Sequence, residues 1–202
     1  MAVDPVEEEQ MRAGLPIRFF PDAAAWACWL AENHAGAAGL WLKLAKKGSE
    51  LHSLSYAEAL ETALCYGWID GLKQAFDASA WLQKFTPRTK RSIWSQINRD
   101  KATVLIAAGR MQAAGLAEVE RARADGRWDA AYAPASRMTV PEDLTAALTA
   151  NPEAAAFFAA LDGANRYAIL WRLETAKQAA TRARRLEKLV AMLARGEKIY
   201  AP

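Results

Sequence analysis

Over the first ninety residues, apolar positions come in short runs broken by turn residues; beyond Ser92 they recur every three or four positions. Leu15 to Phe20 is a short apolar run closed by Pro21 and predicts a first strand. Asp22 can cap a helix to about Ala35, with Trp26, Trp29 and Leu30 on one face and Gly36 at its end. Leu40 to Ala45 sets Leu40, Leu42 and Leu44 against Trp41 and Lys43, the pattern of a strand with one face well buried, and Lys46 to Ser49 is a turn. Ser55 and Glu58 form a capping box that opens a helix. Tyr56, Ala59, Leu60, Ala63 and Leu64 make its stripe, and Gly67 suits its end. A Trp68-Ile69-Asp70-Gly71 turn follows, then strands from about Leu72 to Phe76 and Ala80 to Phe85. The Asp77-Ala78-Ser79 turn between them predicts an antiparallel hairpin.

The helical period then takes over. Ser92 or Ile93 starts a helix to about Ala108, and a second runs from Ala113 to Ala124 before Gly126. Trp128 to Arg137 reads as an irregular loop with buried aromatics. Thr139 and Glu142 around Pro141 predict a helix start, as do Asn151, Pro152 and Glu153. A further helix covers about Asn165 to Leu173. Thr175 and Gln178 can cap the last, which ends at Gly196 and turns Ala183, Leu186, Leu189, Val190 and Leu193 inward. The fold class is α+β: a small, mainly antiparallel sheet flanked by helices in the N-terminal half, then an all-helical C-terminal half. The expected organisation is a mobile tail at 1–14, an α+β domain at 15–130 and a helical region at 131–202 with a basic last helix.

Composition adds little to this. Apolar residues make up 52% of the 202 positions and charged residues 24%, which argues for folded structure over most of the length. The formal net charge of +3 does not argue for nucleic acid. Its distribution is uneven: residues 1–60 carry 5 Lys/Arg against 8 Asp/Glu, and residues 164–202 carry 9 against 3. Two cysteines and two histidines supply neither a disulfide framework nor a zinc spacing, and no cofactor is implied. The acidic N-terminus has no apolar stretch of the secretory kind, and no apolar run is long enough to span a membrane, so a cytoplasmic location is expected.

No phosphate loop, nucleophile elbow, metalloprotease or paired-cysteine motif occurs. The densest chemistry lies between Leu64 and Asn98, which hold three of the eight tryptophans. Trp68, Asp70, Arg88, Trp94 and Asn98 could line one ligand-binding pocket if the hairpin folds back on the following helix. Two aromatic walls with an acid, a guanidinium and an amide would suit a small planar or anionic ligand. The competing expectation is packing, with Asp70 bound to Arg88 or to its own turn. An enzyme using Asp70 or Cys65 is the alternative, though for Cys65 a helix C-terminus disfavours a thiolate and core packing is the stronger expectation. Lys84, Arg88, Lys90 and Arg91 form a basic cluster beside Trp81 and Trp94, but without a nucleic-acid-binding motif they read as a solvated loop. Arg182, Arg184, Arg185, Lys188 and Arg195 make the last helix basic; it could meet a membrane surface or an acidic partner, yet its apolar face is needed for the core.

Several motifs agree in order with one family. Ala63-Leu64-Cys65-Tyr66-Gly67-Trp68-Ile69-Asp70-Gly71 resembles the ALCFGWIDG signature of the bacteriocin-protection, YdeI/OmpD-associated family. Phe85-Thr86-Pro87-Arg88, Ser92-x-Trp94-Ser95-x-x-Asn98, Gly109-Arg110-Met111 with Ala114-Gly115-Leu116, and Asp125-Gly126-Arg127-Trp128 resemble its further segments. Ala176-Lys177 with Thr181-Arg182 and Arg184-Arg185 is similar to its last helix, and together the motifs span roughly residues 17–197. Ala180 departs from the pattern, which has an acid there. The resemblance implies a stress or bacteriocin and antimicrobial-peptide protection factor, and with no catalytic dyad in the sequence the expected mode of action is binding of a small ligand or a partner protein. The resemblance supplies no catalytic residues.

Overall fold

The computed structural model describes residues 10–200; residues 1–9 of the expected tail lie outside the described residues. The chain forms two compact units, one comprising the residues up to Trp94 plus Asn98–Ala130, the other Ser95–Ile97 plus the residues from Ala131 onward.

The first unit is built on a five-stranded sheet in the order β1-β2-β3-β5-β4. Its strands are β1 (Met11–Arg12), β2 (Leu15–Phe19), β3 (Leu40–Ala45), β4 (Trp68–Ala75) and β5 (Ala80–Pro87). All neighbours are antiparallel except β2 and β3. Met11 and Arg12, inside the segment expected as tail, pair with Pro16 and Leu15. β3 is buried on both faces: Leu40, Trp41, Leu42 and Leu44 are each at most 1% exposed. Its second face is covered partly because the Trp41 indole N–H donates to the Arg12 carbonyl at 2.9 Å.

Helices α1 (Ala23–Asn33) and α2 (Tyr56–Cys65) start where their caps predict. Asp22 accepts from the Ala25 amide, and Ser55 and Glu58 complete the reciprocal capping box. Trp26 packs on Phe20, Trp29, Trp68 and Phe85, with ring centroids 5.1–6.1 Å apart. The hairpin turn also follows its sequence: the Asp77 carboxylate accepts from the Ser79 amide and hydroxyl and from the Ala80 amide.

Trp68-Ile69-Asp70-Gly71 is not a turn. It is the first half of β4, and the register slips by one residue between Asp70 and Lys73. Such a bulge frees carbonyls that the ladder would otherwise use. The buried Gln83 side chain of β5 donates to the Gly71 and Leu72 carbonyls, at 2.9 and 3.4 Å.

Two further helices complete the first unit, α3 (Gln96–Ala107), whose first two residues belong to the second unit, and α4 (Ala113–Ala124). α3 begins four residues later than the expected Ser92, because Ser92 to Trp94 are drawn into loop packing. The end of α2 and the start of α4 approach very closely. A Cβ built on Gly115 would lie 2.3 Å from the Cys65 carbonyl oxygen, and one on Gly67 (φ +75°) would lie 2.9 Å from Glu118 Cγ.

The second unit is helical: α5 (Glu142–Thr149), α6 (Pro152–Ala159), α7 (Gly163–Glu174) and α8 (Ala179–Ala194), preceded by a 3-10 turn at Ala135–Arg137. Leu144, Ile169, Leu173 and Leu193 are fully buried at its core, with Leu148, Phe158, Leu161, Leu170 and Leu189 around them. Asn151 caps α6 as expected, with Pro152 in the first turn. Two other expected caps are not used. Pro141, not Thr139, precedes α5, and α8 begins after Gln178 without a side-chain cap, while Thr175 closes α7. Ala183, expected inward, is exposed, whereas Leu189 and Leu193 are buried.

Candidate functional site

Of the five residues expected to line one pocket, Arg88 and Trp94 make direct contact, while Trp68 and Asp70 have other partners. Trp68 is 1% exposed; its indole donates to the His34 carbonyl at 3.1 Å and its ring meets Trp26 and Trp29 edge-on. Asp70, one strand step further, accepts a 2.7 Å hydrogen bond from the Tyr56 hydroxyl. Asp70 therefore binds the first residue of α2, neither Arg88 nor its own turn.

Arg88 and Trp94 do come together. The Arg88 guanidinium stacks 3.5 Å from the centroid of the Trp94 ring and also donates to the Ile93 carbonyl. The other side of this group comes from the Asp125-Gly126-Arg127-Trp128 segment. Trp128 meets Trp94 edge-on at 4.9 Å, and the Arg123 guanidinium lies over Trp128. The buried Arg127 Nε contacts both Asp125 carboxylate oxygens at 2.8 Å, and its Nη1 donates to the Ser92 carbonyl at 2.7 Å. Three sequence motifs thus form one interlock that pins the 88–94 loop to the end of α4. Asn98 is buried on α3. With Arg88 under Trp94, the expected basic cluster is left with half-buried Lys84 and exposed Lys90 and Arg91.

Cys65 is buried at the end of α2, and burial pushes its thiol pKa up. Cys28, by contrast, is exposed. Alkylation at neutral pH is expected to modify Cys28 readily and Cys65 only after unfolding; mass spectrometry of a time course reads both, and fast Cys65 labelling would count against this packing.

In the second unit the arginines of the last helix have internal work. The last turn of α7 leaves carbonyls without helical partners. Arg182 Nη1 donates to the Leu173 carbonyl and Arg185 Nη1 to the Arg172 carbonyl, both at 2.7 Å. Arg182 also makes a bidentate pair with Asp143, at 2.6 and 2.8 Å. So α8 is fastened to α7 and α5, while Arg184 and Lys188 stay exposed. The Arg182 hydrogen bond holds the Asp143 carboxyl below the usual carboxylate range. Its stabilising contribution is therefore present above the unfolded-state value of about 4 and is lost as pH falls through the lower folded value. Asp143→Asn should melt below wild type at neutral pH, and the two curves should converge under acid conditions.

This unit also holds two cavities. One, of about 230 Å³, is lined by Arg137, Met138, Thr139, Pro141, Glu174 and Arg182, among others. The second, of about 700 Å³, takes in Val140, Gly163, Arg166 and Tyr167. They share Met138, Thr139 and Leu170. Gly163, Arg166, Tyr167, Leu170 and Glu174 follow helical spacing, so one stripe of α7 forms the floor of both. Burial, the largest cause, pushes the Tyr167 hydroxyl up to about 12, so it stays protonated as a donor. Sequence reasoning missed this site because its other wall, Ala133 to Pro141, has no period to read.

Residues 18–118 match a domain of unknown function, DUF8412, and residues 137–196 match the family described as bacteriocin-protection, YdeI or OmpD-associated. Residues 137–196 thus carry a YdeI/OmpD-associated domain. The YdeI/OmpD-associated match falls wholly on the helical unit, and the Trp-Ile-Asp-Gly signature falls in the other match. No curated protein and no solved structure matches the chain significantly. Among the described residues, no helix is long and apolar enough to cross a membrane.

Proposed function

We propose that this YdeI/OmpD-associated protein is a protection factor against bacteriocins or antimicrobial peptides, that it acts in the cytoplasm, and that it works by binding rather than by chemistry. The observation that carries the reading is the coincidence of the family match, residues 137–196, with the unit that holds the α7 cavities. A binding role fits the side chains there: donors from arginine, threonine and tyrosine stand over apolar Met138, Val140 and Leu170, the composition of a recognition site. A nucleophilic role for Cys65 gains no support from a buried thiol whose pKa is raised.

The test is survival. Cells of a sensitive bacterial strain producing the full chain should tolerate a several-fold higher concentration of bacteriocin or cationic antimicrobial peptide than cells carrying an empty vector. Equal sensitivity, with the protein present and folded, overturns the reading.

A further inference from the structure

We infer that the α7 groove binds an anionic amphiphile: a molecule with a carboxylate or phosphate group on an apolar body. The inference rests on the binding role proposed above and names its ligand class. Because the two cavities share Met138, Thr139 and Leu170, they make one groove along α7. From Gly163 to Glu174 that helix runs about 16 Å, enough for an extended chain. Gly163, at the first position of α7, leaves one end of the groove without a side chain, and nothing lies within 4 Å of where its Cβ would be.

The charges in this groove are not balanced. Arg182 is paired with Asp143, and Glu174, the other carboxylate at the groove, accepts from the Ala133 amide at 3.0 Å and keeps its charge, so one anion stands against the two remaining cations. Arg137 and Arg166 have no ion-pair partner among the described residues. Arg166 is held in place: its guanidinium lies 4.5 Å over the ring of buried Phe158. Beside it stand the Tyr167 hydroxyl and Thr139, both able to donate to an oxyanion. The apolar stretch of Met138, Val140 and Leu170 lies next to these donors. Two cations without ion-pair partners against one carboxylate leave the groove net positive over its apolar floor, which complements a negative head on an apolar body and disfavours both a neutral lipid and a small hydrophilic anion.

The experiment is isothermal titration calorimetry of the full chain with dodecanoate and dodecyl phosphate, each below its critical micelle concentration. Dodecanol, inorganic phosphate and anionic phospholipid vesicles serve as comparison arms. Saturable binding of both anionic amphiphiles is expected, with dodecanol and inorganic phosphate each at least tenfold weaker. Arg166→Ala should weaken dodecanoate about tenfold and Arg166→Lys much less, while Arg137→Ala should have a smaller effect; melting curves confirm that each variant is folded. Met138→Gln should weaken dodecanoate and dodecanol by the same factor. The inference is overturned if dodecanol binds as well as dodecanoate, if inorganic phosphate binds as well as dodecyl phosphate, if Arg166→Ala is without effect, or if only vesicles bind. Protection of cells without amphiphile binding would overturn the groove and leave the protection role standing. Binding without protection would do the reverse.

Discussion

Replacing Gly115 by alanine is expected to destabilise the protein by about 3 kcal/mol, one of the largest effects of any single methyl group in the chain. The atoms that its Cβ would meet are backbone: the Cys65 carbonyl oxygen at 2.3 Å, with Cys65 C and the Leu64 carbonyl oxygen at 2.8 Å. No rotamer change can relieve that contact. The start of α4 would have to move off the end of α2, disturbing the 3.0 Å hydrogen bond from the Gln112 amide to the Cys65 carbonyl. For a protein of this size, such a loss lowers the melting midpoint by roughly 10 °C. Two controls separate crowding from general glycine effects. Gly126→Ala keeps open space but sits at φ +76°, and should cost about 1 kcal/mol. Gly36→Ala has neither problem and should be neutral or slightly stabilising. If Gly115→Ala melts with the wild type, the close crossing is refuted.

Trp94→Ala is the second large effect, expected to cost about 3–5 kcal/mol. Trp94 is 2% exposed, between the Arg88 guanidinium and the Trp128 ring. Its indole N–H finds no acceptor among the described residues, so Trp94→Phe gives up packing but no hydrogen bond and should cost clearly less. A double-mutant cycle with Arg88→Ala should return a coupling of about 1–2 kcal/mol, the scale of a desolvated cation–π contact. The cycle also decides what the motif is for. Were Trp94 a wall of a ligand pocket, its removal would weaken binding and leave the melting midpoint nearly in place. Chemical denaturation of the single and double variants reads the difference.

Local rules with local partners were legible in the sequence. Ser55 with Glu58, Asp22, Asn151 with Pro152, and Asp77 with Ser79 each act within three residues, and each forms the cap or turn that its chemistry predicts. The sheet-then-helices order was legible too, because the apolar period changes near Ser92. Contacts with distant partners were not. Arg182 and Arg185 read as a basic surface and turn out to satisfy α7 carbonyls, a demand visible only once α7 and α8 are side by side. Trp-Ile-Asp-Gly reads as a turn because Asp and Gly favour turns; in the fold it is a bulged strand whose freed carbonyls are met by Gln83 from the neighbouring strand. The groove is the extreme case. Its floor is the α7 stripe, which the helical period offers, but its wall is the aperiodic 133–141 segment, and only the folded chain brings the two together.

The motif-rich stretch from Trp68 to Asn98 and the groove on α7 are rival places for a ligand, and chemical-shift mapping separates them directly. Dodecanoate is titrated into isotopically labelled full-length protein and the backbone amides are followed. Saturable shifts are predicted at Ala133–Pro141 and Gly163–Glu174, with Trp68, Asp70 and Trp94 unmoved. Shifts centred on Trp68, Asp70 and Trp94, or none anywhere, would contradict the account.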